Sequence, residues 1–175
     1  MNKDIDDVIE MIYVNLYGEN YKNSIFPPIA FNIYNVFKKN EVITKSEETG
    51  NKASFPLKLL MECKANDVNY VARFNKKTQC FECSVNRGLS REVFAFSAAR
   101  GLANIYFGDV IENNWCDIND HYNSDNTKKF AGKLLVPKFL LVLYIDMLSD
   151  INSIGAALGV DPTLIVTRAY EEGLI

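Results

Sequence analysis

Cys80 and Cys83 form a Cys-x-x-Cys pair, a spacing at which two thiolates commonly bind one zinc ion. A complete site would need further ligands, from Cys63, Cys116 or the sole histidine, His121. The pair lies in the run CFECSVN, whose alternation is typical of a strand, where positions i and i+3 point to opposite faces. We therefore expect buried thiols in a reducing compartment and no zinc at this pair.

Ser97 and Arg100 have the spacing of the Ser-x-x-Lys hydrolases, with arginine where those enzymes have lysine. A guanidinium does not give up its proton near neutral pH, so Arg100 could not activate the serine as a nucleophile. We expect no hydrolase centre at this pair.

His121 follows Asp117 and Asp120 in a polar segment, with Cys116 just before them. These side chains could form a metal or nucleophile site, although surface loops often collect such residues without binding anything. An active metal-dependent hydrolase around Cys116 and His121 is therefore an alternative function.

Composition limits the class of protein. The chain has 175 residues, 48% of them hydrophobic, and a net charge of −3, with no apolar run long enough to span a membrane. The acidic, amphipathic start MNKDIDDVIEMI does not resemble a signal peptide. We expect a cytoplasmic protein with no electrostatic footprint for nucleic acid or a membrane.

The hydrophobic periodicity predicts helices first, then a small sheet, then helices again, which is the α+β class. The elements are predicted as a helix over 4–17, a short helix FNIYNVFKKN, the strands EVIT, LKLLMEC, NYVARFN and CFECSVN, a helix from Ser90 to Phe107, a helix from near Thr127 that pauses at Pro137, its continuation over 138–149, and two tail helices about Gly159. EETGNKAS is expected to be a polar loop. The domains are predicted as 1–150 with a helical hairpin, 151–175, packed on it.

Several local motifs recur together in one known family. Pro28-Ile29-Ala30-Phe31 precedes the second helix, and Arg91 and Ala95 begin the long central helix. NTKKFAGKLLVP, over 126–137, has the pattern F-A-x-x-L-L-x-P, and the ending IGAALGVDPTLIVTRAYEEGLI is helix-turn-helix-like. In these features the chain resembles the ImmA/IrrE-type metallopeptidases. The resemblance implies a zincin-like fold with a small antiparallel or mixed sheet packed on helices.

The resemblance also shows which functional residues are missing. In that family two histidines at i and i+4 and a distant glutamate bind zinc, and the glutamate after the first histidine is the general base. By position these residues correspond to Phe96, Arg100, Asn126 and Ser97, respectively. Phenylalanine has no lone pair, arginine is a permanent cation, and serine is no base near neutral pH. We therefore expect no metal, no cofactor and no catalysis at this degenerate site.

These departures favour a pseudo-peptidase that acts as a regulatory protein-binding module. The predicted partner-binding groove consists of Phe96, Arg100, Asn104, Lys128, Lys129 and Lys133. The resemblance implies a partner such as a helix-turn-helix transcriptional regulator, in a phage, plasmid or mobile-element setting.

The tail raises one further alternative, a DNA-binding regulator. Its second helix offers Thr163, Thr167 and Arg168 together with Glu171 and Glu172, and the acids are unfavourable beside phosphates. We therefore expect this helix to pack against the domain.

Overall fold

Helices and one mixed sheet make up the part of the chain that the computed structural model describes, which is residues 4–23, 31–45, 49–62, 69–108, 124–148 and 150–175. The α+β prediction is confirmed for these residues. The helices are α1 (Ile5–Tyr17), α2 (Ile33–Lys39), α3 (Arg91–Phe107), α4 (Ser124–Leu135), α5 (Lys138–Met147), α6 (Ile151–Leu158) and α7 (Pro162–Glu171). The strands are β1 (Glu41–Lys45), β2 (Lys52–Glu62), β3 (Tyr70–Asn75) and β4 (Cys80–Asn86).

Helix ends follow from local chemistry. The Ser90 hydroxyl caps α3 by accepting from the Val93 N–H at 3.4 Å, and the Asp161 carboxylate caps α7 by accepting from the Thr163 N–H at 2.8 Å. Gly159 ends α6 in the left-handed region, with φ 68°. A good N-cap contributes about 1 kcal/mol to the stability of a helix. Because serine, aspartate and glycine are the residue types that favour these helix ends, the sequence alone indicates the boundaries.

The sheet has the order β1-β2-β4-β3. Strand β2 runs antiparallel to β1 and parallel to β4, and the β3–β4 hairpin places β3 antiparallel at the edge. Helix α3 packs against β3 and β4. The antiparallel edge strand therefore lies beside the long central helix.

The prediction of a loop over EETGNKAS is wrong for its last three residues, 52–54. Strand β2 already begins at Lys52, whose Cα pairs with that of Lys45 in β1. Backbone pairing with β1 needs no apolar side chains, so the exposed Lys52, Ala53 and Ser54 gave no strand signal.

The core joins the N-terminal helix, the sheet and the tail. The Tyr13 hydroxyl in α1 donates to the Leu134 carbonyl oxygen in α4 at 2.8 Å. Ile165 and Ala169 of α7 belong to the same buried cluster as these helices and the sheet. Across the described ranges, no helix is both long and apolar enough to span a membrane.

Candidate functional site

Helix α3 is buried on nearly every side from Ser97 to Tyr106. Small residues allow this, because they let neighbouring elements approach the helix backbone closely. Gly101 lies against β4, where an added Cβ would overlap the Cys83 Sγ and come within 3.2 Å of the Tyr70 ring. A helix surrounded by protein in this way has a weak amphipathic pattern.

Arg100 is the centre of a polar cluster between β3, α3 and α4. Its Nε donates to the Thr127 Oγ1 at 3.2 Å, and its guanidinium carbon lies 5.5 Å from the Tyr70 ring centroid. The Asn104 amide nitrogen donates to the Tyr70 hydroxyl at 3.2 Å. The cluster thus connects the edge strand, the central helix and the start of α4.

The Tyr70 hydroxyl is a neutral member of this cluster. Burial raises its pKa above the ordinary value, and the Arg100 guanidinium and the Asn104 hydrogen bond offset part of the rise. A phenol with a raised pKa stays protonated at neutral pH, so Tyr70 is not poised to act as a general base there.

The four positions predicted to form a degenerate metal site lie on α3 and at the start of α4. Phe96 and Arg100 are half-buried, Ser97 is 3% exposed, and Asn126 is exposed. Asn126 directly precedes Thr127, which Arg100 contacts. The donor set does not fit zinc, since none of these side chains is a carboxylate, imidazole or thiolate.

A groove lies between the start of α3, α4 and α7, and encloses a cavity of about 510 Å³. We call it the α3–α4–α7 groove. Its apolar lining includes Val93, Phe96, Leu135, Val160 and Leu164, and its charged lining includes Glu92, Asp125, Lys128, Lys129, Asp161 and Glu171. An apolar interior with charges around it is typical of a site for a ligand or a peptide side chain.

The residues predicted for a partner-binding groove separate in the structure. Phe96, Lys128 and Lys129 line the α3–α4–α7 groove, whereas Arg100, Asn104 and Lys133 are not in its lining. Asn104 is 1% exposed. The Lys133 ammonium contacts the Asp6 carboxylate of α1 at 2.6 Å. These two side chains therefore join elements within the fold.

Helix α7 supplies a groove wall that the sequence reasoning did not include. Arg168, at 2% exposure, donates from Nε to the Val136 carbonyl oxygen at 3.2 Å and pairs with Glu171 and Glu172. Its side chain passes Gly132, where an added Cβ would lie 3.2 Å from the Arg168 Cδ. A glycine in the middle of a helix often marks a place where another element packs closely against the helix, so Gly132 was the sequence signal for this contact with α7.

The same contacts bear on the DNA-binding alternative. Arg168 is the cation that the tail helix offered for phosphate contact, and it is buried and paired with carboxylates. Burial raises the pKa of the Glu172 carboxyl, but Arg168 and Lys138 outweigh this effect and leave its pKa below the ordinary value. Helix α7 contacts both α4 and α5.

At the mouth of the groove Glu92 is ionised at neutral pH. Its own backbone N–H and the Ser90 hydroxyl hold its pKa below the ordinary value, and the nearby Asp161 carboxylate acts in the opposite direction. Negative charge therefore lies on the α3 and α7 sides, and Lys128 and Lys129 bring positive charge from α4.

The two described cysteines are buried in β4, as expected. Cys83 faces Gly101, and Cys80 lies beside the Thr78 hydroxyl at 3.0 Å on the other face of the strand. Within the described residues, no three His, Cys, Asp or Glu side chains group closely enough to bind a metal. The candidates Cys63, Cys116, Asp117, Asp120 and His121 lie outside the described residues, as do Pro28, Ile29 and Ala30 of the first motif.

Comparison of the sequence with protein-family models and with curated proteins found no match.

Proposed function

We propose that this chain is a catalytically inactive relative of the ImmA/IrrE-type metallopeptidases that acts as a regulatory protein-binding module. The contact between Arg100 and Thr127 supports the relationship, because it brings position 100 of α3 against the first turn of α4, one residue along the chain from Asn126. A metallopeptidase would need its second histidine and its third ligand to meet across such a contact. The antiparallel edge strand beside α3 also suits a zincin-like fold.

The absence of catalysis follows from residue chemistry. Phe96 and Asn126 offer no strong ligand for zinc, and the Arg100 cation would repel it. Ser97 is buried at 3% exposure and is no base near neutral pH. The proposed module therefore binds a polypeptide without cleaving it.

The α3–α4–α7 groove is the single observation that carries the binding role. Its cavity of about 510 Å³ can take several apolar side chains, and Phe96, at a degenerate position, lines it. Lys128 and Lys129 complement acidic residues of a partner, and Glu92 and Asp161 complement basic ones. The proposed occupant is a protein segment with apolar anchors flanked by both signs of charge. The resemblance favours a helix-turn-helix transcriptional regulator of a phage, plasmid or mobile element, in the cytoplasm.

A charge-reversal comparison tests the groove. The full chain is used to isolate partners from its native cell, and each purified partner is titrated against wild type by calorimetry. Lys128→Glu with Lys129→Glu should weaken binding about tenfold or more, since the groove loses complementary charge. Lys76→Glu with Lys77→Glu is the matched control, an exposed lysine pair in the β3–β4 turn. Equal affinity of a partner for all three proteins would remove the groove from the proposal.

Restoration of the metal site tests the relationship separately. The variant Phe96→His/Arg100→His/Asn126→Glu should bind one Zn²⁺ per chain if α3 and α4 keep the metallopeptidase geometry. The control Phe96→His/Arg100→His has two ligands and should bind zinc much more weakly. If the triple variant is folded by circular dichroism and binds zinc no tighter than the control, the relationship is wrong, although the groove would remain to be judged by the lysine variants.

A further inference from the structure

A second surface, which shares no described lining residue with the α3–α4–α7 groove, has exposed apolar side chains where α5, α6 and α7 meet. Ile145, Ile151, Val166 and Ile175 line a dent of about 260 Å³ there, and they are 39%, 42%, 41% and 69% exposed. The buried Ile154 and Ile165 also line this dent. We call these residues, together with Tyr170, the C-terminal apolar face.

This face has a projection next to its dent. Tyr170 is 77% exposed and lies one helical turn beyond Val166 on α7, so both side chains point to the same side. The chain after α7 is held in place, because the Leu174 N–H donates to the Ala169 carbonyl oxygen at 2.9 Å and Gly173 is left-handed with φ 67°. This Schellman-type ending directs Ile175 back to the dent.

The size of the face is suited to a protein contact. A large side chain presents roughly 150–250 Å² when fully exposed. The five exposed members of the face therefore present on the order of 500 Å² to water, namely Ile145, Ile151, Val166, Tyr170 and Ile175. That is within the roughly 300–600 Å² of the largest apolar patch on a typical monomer, a patch that is often functional. It is also most of the roughly 800 Å² that each partner buries in a standard interface.

We propose that the C-terminal apolar face is the interface of a two-fold homodimer. A projection and a dent on one face are what an isologous contact requires, because each copy can insert its Tyr170 into the dent of the other. Among the described residues, Asp150 is the one charged side chain in the lining of the dent, and its carboxylate already caps α6 by accepting from the Ser153 N–H at 2.9 Å. Dimerisation removes the apolar side chains from water, which is its driving force.

Molar mass in solution tests the dimer. Light scattering after size exclusion of the full chain should give twice the 19.8 kDa chain mass. Dilution below the dissociation constant should return the chain mass, because the dimer population depends on concentration. Wild type that stays at the chain mass up to roughly 100 μM would overturn the proposal and leave the face to a different protein.

Two pairs of lysine substitutions locate the interface. Val166→Lys/Tyr170→Lys should halve the measured mass, and Tyr170→Lys alone, at the most exposed position, should do so with the least effect on folding. Ile43→Lys/Asn51→Lys adds the same charge at exposed positions near β1 and should leave the dimer intact. Lys128→Glu/Lys129→Glu should also leave it intact, which separates this interface from the groove. A dimer that survives Val166→Lys/Tyr170→Lys, or that either control dissociates, would overturn the assignment.

Discussion

Gly101 of α3 lies directly against Cys83 of β4, so close that a methyl group on the glycine would overlap the cysteine Sγ. This contact sets how near the central helix comes to the sheet. It therefore also sets the position of Arg100, the residue before Gly101, over the Tyr70 ring of the edge strand.

The first prediction concerns this contact. Gly101→Ala should lower the free energy of unfolding by about 1–3 kcal/mol through overpacking, although alanine is the better helix former by about 1 kcal/mol. Cys83→Ala should restore part of that loss in the double variant, because it removes the overlapped Sγ. Urea denaturation measures all three variants. Gly88→Ala, where the nearest atom is 3.7 Å away, is the matched control and should be nearly neutral.

The second prediction concerns pH. Burial raises the pKa of Glu82, but hydrogen bonds from Arg73 and Asn75 outweigh it and leave the pKa below its ordinary value. A carboxyl with a depressed folded pKa stabilises the fold above its unfolded pKa, and that stability is lost as pH falls through the folded pKa. Glu82→Gln should lower the free energy of unfolding by about 1–3 kcal/mol at pH 7, because Arg73 and Asn75 lose a charged acceptor. The variant should also lose less stability than wild type as the pH falls, because it has no carboxyl to protonate at this position. Urea denaturation between pH 7 and pH 3 measures both effects. If Glu82→Gln loses as much stability as wild type over this range, Glu82 is not the source of the pH dependence.

The third prediction concerns the groove wall. Arg168→Met should lower stability by about 2 kcal/mol or more, because Glu172 and the Val136 carbonyl oxygen lose their buried donor. The pKa of Glu172 should rise in the variant, since burial then acts with only Lys138 to oppose it. Thermal unfolding and a carboxyl NMR titration measure the two effects. Arg87→Met, at an exposed position, should change neither.

The fourth prediction concerns the thiols. In a Cys63→Ser/Cys116→Ser background, the remaining Cys80 and Cys83 should react slowly with a thiol reagent, because both are 3% exposed or less. Both should react at once in denaturant. Fast reaction of either thiol in the folded protein would contradict their burial, and the same samples can be assayed for bound zinc.

Much of the fold could be predicted because its signals are local. Ser90 and Asp161 are side chains that satisfy N–H groups two or three residues away, and Gly159 is the residue that tolerates a left-handed conformation. The alternation of CFECSVN likewise indicated strand β4, with its two cysteines on opposite faces. Each of these inferences needs only a few adjacent residues.

The candidate site was less predictable because its partners are distant in the chain. Arg100 contacts Tyr70 and Thr127, and no local sequence pattern around these residues indicates either contact. Lys133 was predicted to line the partner-binding groove, yet its ammonium contacts Asp6 of α1. Strand β2 began earlier than expected because backbone pairing with β1, and no side-chain pattern, extends it to Lys52.

The residues alone were enough to predict the order of the elements, the helix ends at Ser90, Gly159 and Asp161, and the absence of strong zinc ligands at Phe96, Arg100 and Asn126. Those properties depend on local hydrogen bonds and on side-chain chemistry. Helix α7 becomes a wall of the α3–α4–α7 groove through packing in three dimensions, with Arg168 beside Gly132. Such a wall arises from close packing between helices separated in the chain, and packing depends on shape and distance that no single segment specifies.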